Sequence, residues 1–369
     1  MVATIFHLSD LHLHVDADGF LRSDETRLGR LRERVAERFA GLPLLEGTAV
    51  HDVHALAMLR RDLRLWIERE RAEHDAPIVV AQTGDVEALG GIPGDADDWR
   101  EAFPSWAFLH DEAEGCGSDW VHLFGNHDTW PGVFPLAAFD RTVNRERIAD
   151  VPLLAGDWNE PIAIDGLGGI RVVIARVNTV PRDFRRELFA SGRLTALPPA
   201  DDSVAALLEE LREAFEPYDG GRVVRIALMH HPPHAFAAGR LAQLTNAHFH
   251  GAQEVADALR DARVQLVVAG HRHALDPPLG TQRYGFSQRP LDAPTVQLVA
   301  ESPTQRGTQP DDDLLGGATG HSFCRYRLVA DDSGSTFAVY RTVFRLALRG
   351  GGGFRPQPSE LVFDQLPLQ

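Results

Sequence analysis

The chain is predicted to fold as a layered α/β protein, and three observations carry that prediction. Short Val- and Ile-rich runs alternate with longer stretches of helical period, each apolar run is cut off by Gly or a polar residue, and the residues at the cut-offs are repeatedly Asp, His and Asn.

The elements follow in order. VATIFHLS at 2–9 has the length of a buried strand and is too short for a buried helix. SDETRLGRLRERVAERFAGL at 23–42 opens on a Ser-Asp cap signal and spaces Leu28, Leu31, Val35 and Phe39 by three and four, as one helix face requires. A second helix is expected over 51–74. Strands are expected at 77–84 and 120–125, with a helix at 99–114 between them. IRVVIARVN at 170–178 and VVRIALMHH at 223–231 are strands separated by a helix at 201–215. A helix at 252–262 then leads into the strand VQLVVAG at 264–270. In the last hundred residues the style changes. TVQLVAESP, SFCRYRLVADDSGSTFAVYRTVFRLAL and ELVFDQL read as strands joined by turns such as DDSGS, and they extend a sheet. One domain is expected over 1–348, followed at 349–369 by a flexible Gly-rich connector and a terminal strand. The helical stretch at about 22–75 is a candidate cap, or else a helical pair lying on the sheet.

Composition narrows the function classes. At 44% apolar and 24% charged residues the chain is of globular type. Its net charge of −16 speaks against a large nucleic-acid groove, because no Lys/Arg stripe is available to neutralise phosphates, although a short oligonucleotide remains compatible. With only Cys116 and Cys324, a disulfide scaffold and a thiolate zinc cluster are both excluded, and a reducing compartment is the natural reading. No apolar run approaches a membrane span, so no membrane partner is expected, and the first strand begins with no basic leader before it. The expectation is a cytoplasmic protein.

The polar residues cluster at strand ends. Asp10 and His12 follow the first strand, Asp85 the second, and Asn126, His127 and Asp128 the third; His230 and His231 follow a fourth, and His271 and His273 a fifth. Ligands of α/β sheets bind beyond the carboxyl ends of the strands, so one shared site is the economical reading. Oxygen and imidazole donors without thiolates suit divalent Mn, Fe or Zn. Asp10, His12, Asp85, Asn126, His230, His271 and His273 are too many donors for one tetrahedral ion and suit two ions sharing a carboxylate. Two such ions clamp a phosphoryl group and acidify a water, which is the chemistry of phosphate-ester hydrolysis. Each fragment alone says little, since a lone His at a strand end is usually structural and Gly-Asn commonly marks a turn. The five in a compatible order carry the reading.

Taken together, DLH, GD, GNHD, MHHPP and GHRH resemble the motifs of the calcineurin-like metallophosphoesterases, namely DxH, GD, GNHD or GNHE, a His and GHxH, over residues 10–273. The resemblance implies a four-layer α/β/β/α sandwich of two mixed sheets flanked by helices. It also implies a dinuclear phosphoesterase whose nucleophile is a hydroxide bridging two divalent ions. Asp10, His12, Asp85 and His273 would hold one ion, and Asp85, Asn126, His230 and His271 the other, with Asp85 as the bridge. His127 would approach the substrate and Asp128 would orient that imidazole. In the family the ligand is followed by one residue and then Pro, which selects His230. Strand alternation would send His231 to the opposite face, in a packing or supporting role.

Length and the MHHPP run look most like the cyclic-nucleotide and glycerophosphodiester phosphodiesterases, which makes a small phosphodiester the expected substrate. The alternatives are a nuclease acting on short or single-stranded nucleic acid, and a non-catalytic scaffold that keeps the fold. A second candidate lid, 234–251, carries Arg240, Asn246 and His250, although an ordinary surface loop is the better reading of that stretch.

Overall fold

The computed structural model describes residues 1–12, 53–86, 104–125, 160–179, 204–233, 252–271, 295–300, 321–347 and 353–368. It also describes the short pieces 14–15, 21–22, 92–93, 100, 128, 141–142, 192–193, 249–250 and 302–303. The helix expected at 23–42 and most of the candidate lid at 234–251 lie outside the described residues.

Two mixed sheets are built around strands whose residues are apolar on both faces. The first contains β1 (Ala3–Leu8), β2 (Ile78–Gln82), β3 (Asp119–His122), β9 (Ser322–Ala330), β10 (Thr336–Leu346), β11 (Phe354–Pro356) and β12 (Glu360–Pro367). Its order is β11-β10-β9-β1-β2-β3, with β12 also pairing β10. β1, β2 and β3 run parallel, while β9 lies antiparallel to β1, with Ile5 opposite Tyr326. The second sheet contains β4 (Ile162–Asp165), β5 (Ile170–Val177), β6 (Arg222–Met229), β7 (Leu266–Ala269) and β8 (Val296–Val299), in the order β8-β7-β6-β5-β4. All its pairs are parallel except β4 with β5.

Helices close the outer faces. Helix α1 (Val53–Glu73) joins β1 to β2 and α2 (Pro104–Cys116) joins β2 to β3. Helix α3 (Val204–Phe215) joins β5 to β6, and α4 (Ala252–Asp261) joins β6 to β7. Three buried clusters define the layers. Ile5, Val79, Val121, Ile174, Ile226 and Val268 meet between the sheets. Leu56, Leu59, Leu63 and Ile67 of α1 and Trp106 and Leu109 of α2 pack with Phe6, Leu8, Val80 and Phe344. Leu207, Leu211 and Phe215 of α3 and Val255 and Leu259 of α4 cover Val173, Ala227 and Val267. Helix–sheet–sheet–helix layering follows, and it is the architecture expected from the motif resemblance.

Alternation explains why the strands read as unbroken apolar runs. In β1, Ala3 and Ile5 face the other sheet while Phe6 and Leu8 face α1 and α2, so both sides of the pleat need apolar residues. The parallel strands of both sheets end on one edge of the sandwich, and this brings the motif loops together.

Two expectations needed correction. The connector expected from 349 gives way at Phe354 to a strand, because Phe354 is fully buried with its ring 5.3 Å from that of Phe323 while its N–H donates to Asp62. Ile162–Asp165 also forms a strand that the sequence reading did not include, an antiparallel edge four residues long. The second half of the candidate cap is α1, and its apolar face packs on the first sheet. No helix among the described residues is long and apolar enough to cross a membrane.

Candidate metal centre

Five strand ends supply the site. β1 runs into Asp10 and His12, β2 into Asp85, β3 into Asp128, β6 into His230 and His231, and β7 into His271. Asp10, Asp85, Asp128, His230 and His231 are buried to 1% exposure or less, and His12 is 5% exposed. Asp10, Asp85 and His230 bring one potential ligand atom each within 4.8 Å of the others.

The backbone is held in an unusual state to achieve this. Asp10 (φ 56°), His12 (φ 45°), Asp85 (φ 54°) and His271 (φ 67°) all adopt the left-handed region, which L-residues rarely enter and which Asp and His tolerate better than most. Four such residues at one point represent stored strain of the kind that concentrates at functional sites. Surrounding bonds hold them. The N–H of Asp10 donates to Gly84 O (3.0 Å), that of His12 to Asp85 O (2.9 Å), and that of His271 to Asp10 Oδ2 (3.0 Å), which ties the second sheet to the first. Ser302 Oγ donates to Asp10 O at 2.6 Å.

The motif glycines have a steric reason. A Cβ on Gly84, itself at φ +97°, would stand 2.5 Å from Gly125 N and 2.6 Å from His230 Nδ1. A Cβ on Gly125 would collide with the Asp85 carboxylate. The loops approach closer than any side chain permits, and Gly therefore precedes the polar residue in both GD and GNHD.

Electrostatics favour a cation at this point. His230 Nε2 lies 3.2 Å from Asp85 Oδ2, and His12 Nε2 lies 3.7 Å from the same oxygen and 4.0 Å from Asp10 Oδ1. Burial alone would lower the pKa of His230. The carboxylates of Asp85 and Asp10 and the carbonyl of Thr83 outweigh it and push the value up to about 9. The Nδ1–H of His230 donates to Thr83 O at 2.7 Å, which leaves Nε2 as the nitrogen facing Asp85. Beneath it, His7 Nε2 lies 2.9 Å from Thr83 Oγ1, and burial drives its pKa down to about 3. No role was assigned to His7 from the sequence.

The residues present fit a divalent ion. Two buried carboxylates beside imidazoles are costly without a compensating positive charge, and oxygen plus imidazole is a donor set for Mn, Fe or Zn. Asp10, His12, Asp85, His230 and His271 are brought to one place, while Asn126, His127 and His273 lie outside the described residues. Asp128 is used in a way the sequence reading did not anticipate: its Oδ2 accepts from the N–H of Asp85 (2.9 Å) and of Gly125 (2.7 Å).

The opposite-face expectation for His231 is corrected. β6 ends at Met229, so His230 and His231 lie beyond the pleat and its alternation no longer applies. Their ring centroids are 4.7 Å apart, and His231 and His271 are 4.3 Å apart. Pro232 and Pro233 were the available signal, because a proline pair ends a ladder and turns the preceding residues out of regular pairing.

Residues 3–275 match the calcineurin-like phosphoesterase family. The chain belongs to that family, and membership implies metal-dependent hydrolysis of phosphate esters. No curated protein matches the chain.

Proposed function

We propose that this protein is a phosphodiesterase acting on a small phosphodiester with two divalent ions, of Mn, Fe or Zn type, and the observation that carries the reading is the convergence of buried Asp10, Asp85 and His230 within 4.8 Å. Asp10, His12, Asp85 and His273 would hold one ion, and Asp85, Asn126, His230 and His271 the other. A bound pair of such ions would supply charge for the phosphoryl oxygens and lower the pKa of a water to about 7.

The chain's own residues do the positioning. Asp85 Oδ2 faces both His230 and His12, and its backbone is held by Asp128, which accepts the Asp85 N–H, and by His12, whose N–H donates to the Asp85 carbonyl. Thr83 O fixes the tautomer of His230, so Nε2 is presented without a proton-bearing alternative once an ion replaces that proton. The left-handed turns at Asp10 and His271 aim donors from opposite sheets at one point, and little reorganisation is then needed on substrate binding. His127 follows Asn126 and would donate a proton to the leaving oxygen.

Leaving-group dependence tests this assignment. His127→Ala should keep its full metal content but lose about 100-fold or more in turnover of a diester with a poor leaving group, the range for losing a general acid. Loss on a p-nitrophenyl ester should be smaller. Equal losses on both substrates would remove the proton-donor role, and lost metal would make His127 a ligand.

A further inference from the structure

A second triad overlaps the first. His230, His231 and His271 also bring one potential ligand atom each within 4.8 Å of one another, and His230 is common to both groups. We propose that His231 is itself an ion ligand, so that the ion nearest the second sheet is held by three imidazoles, His230, His231 and His271. This rests on the two-ion reading above and refines its donor set.

Four observations support the assignment. The three rings are mutually close, with centroids 4.7, 5.0 and 4.3 Å apart. His231 is anchored at its far nitrogen: Thr179 Oγ1 lies 2.8 Å from Nδ1 and also accepts the His231 backbone N–H at 3.3 Å. With Nδ1 on Thr179, the nitrogen that can join the cluster is Nε2. A hydrogen-bonded far nitrogen is the usual accompaniment of an ion-binding imidazole, because it fixes the ring plane, and His230 is likewise held at its far nitrogen, there by the Thr83 carbonyl. Exposure then separates a ligand from a substrate contact. His231 is 1% exposed, so an ion within the cluster can reach it and a diester arriving from solvent cannot.

The chemical consequence is an unequal pair of positions. With Asp85 shared, the first position would balance two carboxylates against the imidazoles of His12 and His273, whereas a third imidazole makes the second the more nitrogen-rich of the two. Imidazole suits Zn, Fe, Co or Ni, and carboxylate suits Mn or Mg. The chain would then take two different metals from a mixture, with the nitrogen-rich position holding the borderline ion more tightly.

Stripped protein titrated with Co(II), read by calorimetry and by visible absorption, tests this without reference to turnover. Wild type should take up two ions. His231→Ala should weaken one of the two binding events by about 100-fold, leave the other unchanged and alter the visible spectrum, since an imidazole has left the coordination sphere. Thr179→Val keeps the imidazole but removes its anchor, and should weaken the same event by about 10-fold, the scale of losing an outer hydrogen bond. Circular dichroism of the stripped variants reports folding. If His231→Ala fails to fold, His231→Gln and Thr179→Val supply the comparison. Two wild-type-like events and an unchanged spectrum in the folded variants would overturn the ligand role of His231 while leaving the two-ion reading in place. Fewer than two ions in wild type would instead remove that reading, and this inference with it.

Discussion

Asp128 fixes Asp85 through the backbone: its Oδ2 accepts the Asp85 N–H at 2.9 Å, and the same oxygen accepts the Gly125 N–H at 2.7 Å. One buried carboxylate thus clamps the loops after β2 and β3 together. Asp128→Ala would leave two buried N–H groups unsatisfied and should cost about 2–4 kcal/mol, since each such group costs roughly 1–3 kcal/mol. Asp128→Asn keeps an acceptor oxygen and should restore most of that loss. Urea denaturation of both variants checks the difference. If Asn were as destabilising as Ala, the clamp would not depend on hydrogen-bond acceptance.

A second buried carboxylate attaches α1 to the first sheet. Glu70 is 1% exposed and accepts from Thr4 Oγ1 (2.8 Å), from Arg327 Nε (2.8 Å) and Nη2 (2.7 Å), and from Arg325 Nη1 (2.7 Å). Burial pushes its pKa up, but Arg327, Arg325 and Thr4 prevail and hold it below the usual 4.5. The unfolded chain therefore takes up this proton first as pH falls. Stabilisation is complete above about pH 4.5 and is lost as pH drops through the lower folded value. Glu70→Gln should cost about 3 kcal/mol near neutrality, because it leaves two arginines undercompensated. The gap from wild type should shrink below pH 4.5 in thermal melts, and a gap independent of pH would contradict the ionic account.

His122 is held neutral instead of charged, yet it shifts stability with pH in the same direction. Its ring is stacked on Trp120 (5.4 Å, 19°) and meets Trp106 edge-on at 5.8 Å, with neither nitrogen partnered among the described residues. Burial, then Arg176 and His110, lower its pKa from 6.5 to about 3. The unfolded chain protonates this residue from pH 6.5 downward while the folded one does not, so stability falls between about pH 6.5 and 3. His122→Phe keeps the stacking and removes that loss. Relative to wild type it should gain roughly 2 kcal/mol more at pH 5 than at pH 8, from 1.36 kcal/mol per pH unit. Equal effects at the two pH values would mean the imidazole is not held neutral.

Much of the site could be read from the sequence because Asp10, Asp85, His230 and His271 each follow directly on a Val- or Leu-rich run that had to be a strand. The partition into two sheets could not be read that way. Ile5 and Phe6 are both apolar yet face different layers, so periodicity alone is silent about which strands pair. Motif resemblance supplied that part. Phe354 was hidden by its glycine neighbours, since local composition carries no information about burial against Phe323, far away in the sequence. His231 was misplaced because the pleat rule was extended two residues past the end of β6.

Metal stoichiometry coupled to diester hydrolysis tests the central claim most directly, with wild type compared to Asp85→Asn. Wild type should hold two divalent ions per chain and hydrolyse bis(p-nitrophenyl) phosphate with Mn present. Asp85→Asn removes the carboxylate lying 3.2 Å from His230 and 3.7 Å from His12, and should fall below two ions with turnover collapsed. Two retained ions and near-normal turnover in that variant, or a wild type that binds no metal, would contradict the account.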